Sequence, residues 1–172
     1  MLDSRGQIDV TYSMTPEAFG EDSTEALFDL PCACQNLRRA TRVVTRIYDQ
    51  ELKKAHLDVT QFGLLTALEA TGGINQKGLS AGLAVDSTTL TRTLARLGKL
   101  GWVRVKPGSD KRERIFSLTP AGQRQLAAAK PHWESAESRL RQEFGTGDWT
   151  VLKDIVCRLT KSAIRAEVLY PR

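Results

Sequence analysis

Apolar residues recur with a helical period along most of the chain, most clearly between Asp86 and Gly101. Asp86 can cap the first turn of a helix there, and Gly101 can end its last turn. One face of this predicted helix carries a buried stripe formed by Leu90, Leu94, Leu97 and Leu100. After Gly101 the apolar period shortens to that of strands, on both sides of the basic segment 106–114. The pattern therefore predicts a helix followed by a β-hairpin.

The remaining periodic segments predict five further helices, at 31–54, 60–71, 75–83, 120–144 and 148–168. Asn75, Thr119 and Asp148 are the expected caps, and Gly145 and Gly147 are expected to separate the last two helices. Helices 75–83 and 86–100 lie one short turn apart, which is typical of a helix-turn-helix with the hairpin as its wing. The predicted fold class is mainly α with a small β-wing, a winged helix-turn-helix with N- and C-terminal dimerisation helices.

Charge and composition divide the chain further. Residues 1–30 hold seven acidic side chains and one basic side chain, within a total charge of +5 for all 172 residues. This segment is predicted to be an acidic, partly disordered N-terminal extension. Residues 57–119 are predicted to form the winged helix-turn-helix DNA-binding domain. Residues 31–56 and 120–168 are predicted to form a helical dimerisation region, because a winged helix alone needs no such apolar additions.

Several classes of protein are disfavoured by the sequence. No apolar run is long enough to span a membrane, and the start of the chain lacks the features of a secretory signal. Three cysteines do not resemble a disulfide scaffold, so a cytoplasmic protein is expected. Motifs for a nucleophile elbow, a zinc protease or a phosphate loop are missing, so we expect neither an enzyme nor a cofactor.

The charge around the predicted recognition helix favours DNA as the partner. Residues 86–119 hold eight basic side chains against three acidic ones. The helix face opposite the leucines suits a major groove and consists of Ser87, Thr88, Thr89, Thr91, Arg92 and Arg96. Arg92 fits guanine recognition and phosphate binding equally well. Arg96, Lys99, Lys77 and Arg114 are expected to contact the DNA backbone.

Four segments resemble the multiple antibiotic resistance regulator (MarR) family. Residues 110–119 (DKRERIFSLT) resemble its D-x-R…LT wing signature, and 58–62, 87–92 and 97–103 are similar to its other helix and wing motifs. The resemblance extends over about 31–168. It implies a homodimer that binds double-stranded DNA at a pseudopalindromic operator, in most members as a repressor released by a small effector. In the wing, Asp110 is expected to orient Arg112 in the minor groove.

The sequence leaves several candidates for the signal that the protein senses. The resemblance places Cys34 where the organic hydroperoxide regulators of this family oxidise a thiol. Tyr48 matches one of their tyrosines, and Arg38 and Val59 replace two others. A thiol near a helix N-terminus is open to oxidation by peroxide. The alternative is that Cys34 is a small filler residue buried in the dimer interface.

Other interpretations stay open beside the thiol sensor. An organic effector is the default, and its loose candidate ligands are Arg38, Arg42, Tyr48, His56 and Phe62. Metal sensing through Cys32 and Cys34, with Cys157 or a histidine, is a weaker alternative. A thiol peroxidase based on Cys34 and a winged helix used for protein contacts are the rival classes.

Overall fold

The computed structural model describes residues 31–108 and 113–169, and their order of elements matches a winged helix. The elements are α1 (Ala33–Leu52), α2 (Val59–Thr71), β1 (Ile74–Asn75), α3 (Gln76–Leu83), α4 (Ser87–Lys99), β2 (Val103–Pro107), β3 (Arg114–Leu118), α5 (Pro120–Phe144) and α6 (Thr146–Leu169). A short 3₁₀ turn, Lys53–Ala55, follows α1. The predicted fold class, mainly helical with a small sheet, is confirmed. The acidic extension 1–30 and the wing tip with Asp110 and Arg112 lie outside the described residues.

The chain divides into two compact units, Met1–Val44 and Thr45–Arg172. In the first unit the described residues form the start of α1, where Arg39 donates a hydrogen bond to Asn36 at 3.1 Å. The second unit contains the end of α1 and all later elements, including the hydrophobic core.

Polar side chains fix where the helices begin. Asp58 and Gln61 form a reciprocal capping box on α2. The predicted caps Asn75, Asp86 and Thr119 are confirmed, since each accepts a backbone N–H from the first turn that it precedes. These short contacts set the start of both helices of the helix-turn-helix and of the long helix after the wing.

The boundary between α5 and α6 differs from the prediction. Asp148 is not the cap of α6, because the helix begins two residues earlier, at Thr146. Its carboxylate lies in the first turn, where it faces the positive end of the helix dipole. Gly145 alone ends α5, with a φ of 93° that favours glycine, whereas Gly147 lies inside α6.

The core of the second unit is built mainly from leucines. Leu90, Leu94 and Leu97 of α4 are buried, as predicted. Leu100 is 48% exposed, so its predicted burial is wrong. The reason is that Leu100 is the C-cap of α4, and the chain turns away at Gly101 with a φ of 71°. The largest fully buried side chains are Leu52, Leu65, Leu68, Leu79, Leu90, Leu97 and Leu126.

The predicted hairpin forms strands β2 and β3 of a three-stranded antiparallel sheet, whose strand order is β1-β3-β2. In the hairpin Val103 is opposite Leu118, and Val105 is opposite Phe116. The short strand β1 pairs with the edge of β3 that faces away from β2, with Ile74 opposite Phe116. This strand was not predicted, because two residues are too few to show a strand period.

The wing begins against the first turn of α5. The Thr119 hydroxyl donates to the Gly101 carbonyl at 2.6 Å, and the Thr119 N–H donates to the Trp102 carbonyl at 3.0 Å. Gly122 is buried beside the same carbonyl, and a β-carbon there would lie 2.1 Å from the Trp102 oxygen. The backbones therefore approach more closely than any side chain at position 122 allows.

The C-terminal helices meet at one buried carboxylate. Glu137 of α5 accepts hydrogen bonds from the Tyr48 hydroxyl and, at 3.0 Å, from the Trp149 indole. Lys153 and Arg141 approach it at 3.8 and 3.9 Å. Glu137 thus connects the end of α1, α5 and the first turn of α6. None of the helices formed by the described residues has the length and apolar character needed to cross a membrane.

Candidate nucleic-acid interface

The reading face of α4 is exposed and polar. The predicted contact residues on this helix are all exposed: Ser87, Thr88, Thr89, Thr91, Arg92 and Arg96. One Asp86 carboxylate oxygen accepts the N–H groups of Thr88 at 3.0 Å and Thr89 at 2.9 Å. Because these N–H groups are already bonded, the first turn offers DNA its side chains rather than its backbone donors.

The hydrogen bonds at the start of α4 also change the acidity of its cap. The hydroxyl of Thr89, followed by the backbone donors of Thr89 and Thr88, holds the pKa of Asp86 below its usual value. The cap therefore carries its negative charge at neutral pH. This charge partly offsets the cationic character of the face that Arg92 and Arg96 provide.

Thr91 has both of its hydroxyl roles filled within the protein. Its hydroxyl donates to the Ser87 carbonyl at 2.6 Å and accepts from the Gln76 amide at 2.7 Å. Its predicted contact with DNA stays a prediction, but the structure adds a second role, which is to connect α4 with α3. Gln76 lies one residue after the cap of α3 and was not identified from the sequence. Its position in the first turn of that helix is the signal that could have indicated it.

The wing presents two arginines, one on each strand. The Arg104 Nε donates to the Ser117 hydroxyl across the sheet at 3.1 Å. The Arg114 guanidinium lies over the Phe116 ring, 5.9 Å from its centroid. Both side chains are exposed, and the DNA-backbone contact expected of Arg114 stays a prediction. The predicted pairing of Asp110 with Arg112 falls outside the described residues.

The start of α3 contacts the base of the wing. The Asn75 side-chain oxygen accepts the Gly78 N–H at 2.7 Å, and its amide group donates to the Glu113 carboxylate. Glu113 immediately precedes β3, and its carbonyl accepts the Gly108 N–H at 2.8 Å. Lys77, the other predicted backbone contact on α3, is exposed in the first turn of that helix.

A cavity of about 250 Å³ separates α4 from the wing strands. Its lining is partly apolar, and the polar part comes from Gln76, Thr91, Arg104 and Arg114. The cavity thus combines an apolar surface with two cations beside the reading face.

Two of the predicted effector residues, Tyr48 and Phe62, contact side chains of α5. The Phe62 ring stacks on Trp133 at 5.9 Å, and the Tyr48 hydroxyl is hydrogen-bonded to Glu137. Burial, and then the hydrogen bond to Glu137, raises the pKa of Tyr48. His56 is exposed at the end of the 3₁₀ turn, with a φ of 57°. Arg38 and Arg42 belong to the first unit and are exposed.

All three cysteines are free and exposed. In the single chain the Cys34 thiol is accessible, at the second residue of α1. The alternative that Cys34 is a filler buried in the dimer interface stays a prediction. Within residues 31–108 and 113–169, no group of three or more histidine, cysteine or acidic side chains is arranged to hold a metal.

The chain is similar in sequence to known transcriptional regulators. The model described as "MarR family" matches residues 57–113. The transcriptional regulator HosA of Escherichia coli is 32% identical over 128 residues, which cover 74% of this chain and 93% of HosA. An uncharacterised HTH-type transcriptional regulator of Bacillus subtilis, YwoH, is 28% identical over 65% of this chain and 82% of its own length.

Solved structures show the same fold. The Mycobacterium tuberculosis transcriptional regulator MosR, in complex with DNA, is 32% identical and has a TM-score of 0.71 over 78% of this chain and 98% of MosR. The repressor CouR, bound to a DNA duplex, has a TM-score of 0.72 over 81% of this chain and 97% of its own, at 23% identity. These relatives are regulators rather than enzymes, which confirms the expectation that this chain is not an enzyme.

Proposed function

Because the chain belongs to the MarR family of DNA-binding transcriptional regulators, we propose that it is a homodimeric repressor released from a pseudopalindromic operator by a small effector. The observation that carries the proposal is the exposed face of α4, whose hydroxyl and guanidinium groups project from a helix fixed by buried leucines. A helix of this kind fits the major groove, and two copies would read half-sites about 34 Å apart. A DNA-binding regulator of this kind acts where the DNA is, which we take to be the cytoplasm.

The homodimer is supported by the apolar surface of α6. Of its described side chains only Trp149 is buried, and five large apolar residues are 36–56% exposed. These residues are Val151, Ile155, Val156, Leu159 and Ile164. Exposed apolar surface of this extent is costly in water, and a second copy of the chain would bury it. Ile155→Glu is expected to give monomers in sedimentation experiments, while Lys161→Glu on the same helix leaves the dimer intact.

Selection from a random duplex library followed by binding measurements tests the DNA-reading role. The selected duplex should bind far more tightly than a scrambled one, and the affinity should fall steeply with salt because several phosphates are neutralised. A shallow salt dependence together with no selected sequence would refute the proposed operator binding.

Arg92→Ala separates two roles of that side chain. If Arg92 pairs with guanine, the variant loses about 1–3 kcal/mol and tolerates other bases at one position. If Arg92 binds phosphate, affinity falls equally for all sequences, and the slope of log affinity against log salt decreases by about one. Arg165→Ala, a change of an exposed arginine near the end of α6, is the matched control and should leave both measurements unchanged.

The effector part of the proposal has two candidate locations. One is the set predicted from the sequence, Arg38, Arg42, Tyr48, His56 and Phe62, which stays a prediction. The other is the cavity beside α4, where Arg104 and Arg114 would meet an anionic aromatic compound. Titration of the protein–DNA complex with aromatic carboxylates should release DNA. An Arg104→Ala variant that keeps DNA affinity but loses this release would favour the cavity.

The exposure of Cys34 supports thiol oxidation as the second candidate signal. Cumene hydroperoxide should then release the wild type from DNA but not the Cys34→Ser variant. Equal responses of the two proteins would remove this candidate, and parallel titrations with divalent metals would test the metal alternative.

A further inference from the structure

We propose that Asn75 is a positioning residue that fixes the wing relative to the helix-turn-helix through Glu113, and so determines how selectively the protein reads DNA. The inference concerns the junction of β1 and α3 and deepens the DNA-reading role proposed above.

One carboxamide at this junction serves two elements. The oxygen of the Asn75 side chain caps α3 through Gly78, and its nitrogen donates to Glu113 at the base of the wing. An N-cap needs only an acceptor, so the second contact is additional to capping. Of the usual cap residues only asparagine supplies an acceptor and an amide donor together.

Glu113 is itself held in place on the wing side. Its carbonyl closes the hairpin by accepting from Gly108, and its carboxylate lies so near that a β-carbon at position 108 would be 2.6 Å from Oε2. The next residue begins β3, and β1 pairs with that strand through Asn75 and Ile115. The position of Asn75 is therefore transmitted directly to the wing.

The same junction is also connected to the recognition helix. Gln76, the next residue, donates to Thr91 in the middle of the α4 reading face. Two consecutive side chains thus join α3 to the two surfaces that are proposed to read DNA. A wing that turned independently of α4 would contact the minor groove in many registers, and it would lose selectivity before it lost general affinity.

A donor–acceptor exchange tests this role. Asn75→Asp keeps the cap of α3, because aspartate caps as well as asparagine, but it places two carboxylates face to face. Glu113→Gln alone keeps an oxygen that can accept from Asn75. The double variant restores the hydrogen bond in the opposite direction, because the new amide at position 113 can donate to the new carboxylate at position 75. Gln123→Glu, an exposed change in α5, is the control for the added negative charge.

The measurement is the ratio of affinities for the library-selected duplex and a scrambled duplex at one salt concentration, with thermal unfolding in parallel. We expect Asn75→Asp to lower this ratio by about tenfold, the scale of one mismatched base pair, while the variant remains folded at the temperature of the binding measurement. The affinity ratio of the double variant should return to within about twofold of the wild-type ratio. The ratios of Glu113→Gln and Gln123→Glu should also lie within about twofold of the wild-type ratio.

Glu113→Ala provides a second route to the same contact if Asn75→Asp does not fold, because it leaves the cap of α3 intact. It should lose selectivity to the same extent as Asn75→Asp. Wild-type selectivity in Asn75→Asp or in Glu113→Ala, or a double variant that does not recover, would overturn the proposal. Failure of the wild type to select any duplex would instead overturn the proposed DNA-reading role.

Discussion

Replacing Gly122 by alanine is expected to destabilise the protein, although helix propensity alone predicts the opposite. Gly122 lies in the first turn of α5, and an alanine in a helix is normally worth about 1 kcal/mol over glycine. The added β-carbon would, however, lie 2.1 Å from the Trp102 carbonyl oxygen, where ordinary contact requires about 3.5 Å. The neighbour is backbone, so α5 or the start of the wing must shift by about 1.4 Å to restore ordinary contact.

The magnitude follows from two opposing contributions. Overpacking of a well-packed site costs about 3 kcal/mol or somewhat more when backbone must move, and the propensity gain offsets about 1 kcal/mol. A net loss of about 2 kcal/mol is expected, which lowers the melting temperature by roughly 4–8 °C for a chain of this size. Because the displaced carbonyl also accepts from Thr119, the shift would loosen the connection between wing and α5.

Gly63→Ala is the matched control. Gly63 lies inside α2, and a β-carbon there meets nothing within 4 Å, so the same substitution should stabilise by about 0.5–1 kcal/mol. Urea unfolding of both variants at one protomer concentration compares them directly, since the stability of the proposed dimer would depend on concentration. If Gly122→Ala proves as stable as Gly63→Ala, the inferred backbone contact is wrong.

Three further predictions concern buried and capping groups. Tyr48→Phe should lower the free energy of unfolding by about 1.5–3 kcal/mol because Glu137 loses a hydrogen bond, and an unchanged denaturation midpoint would contradict this. The raised pKa of Tyr48 means that the folded state favours the neutral phenol, so this contribution to stability is present below about pH 10 and is lost as the pH rises above it. Ultraviolet titration should show Tyr48 ionising at higher pH than an exposed tyrosine. Asp86→Ala should destabilise α4 and Asp86→Asn should not. The lowered pKa of Asp86 predicts that the wild type loses this contribution as pH falls below about 4, which acid unfolding of wild type and Asp86→Asn would measure.

Much of the fold was readable from local pattern. The caps Asn75, Asp86 and Thr119 and the leucines of α4 follow from rules that act within one or two turns of helix, so the sequence contains all the required information. The errors at Leu100 and Asp148 both concern the last or first turn of a helix. The residue at which a helix begins or ends depends at these two places on a neighbouring glycine and on tertiary contacts.

The sequence by itself determined the winged helix, the cationic reading face and the family, because periodicity, caps and motif spacing are local properties. Only the tertiary structure decided which side chains meet across elements. The contact of Asn75 with Glu113 spans 38 positions, and the contact of Tyr48 with Glu137 spans 89. No periodic signal marks such pairs, because each is created by the packing of elements whose relative placement the whole core fixes.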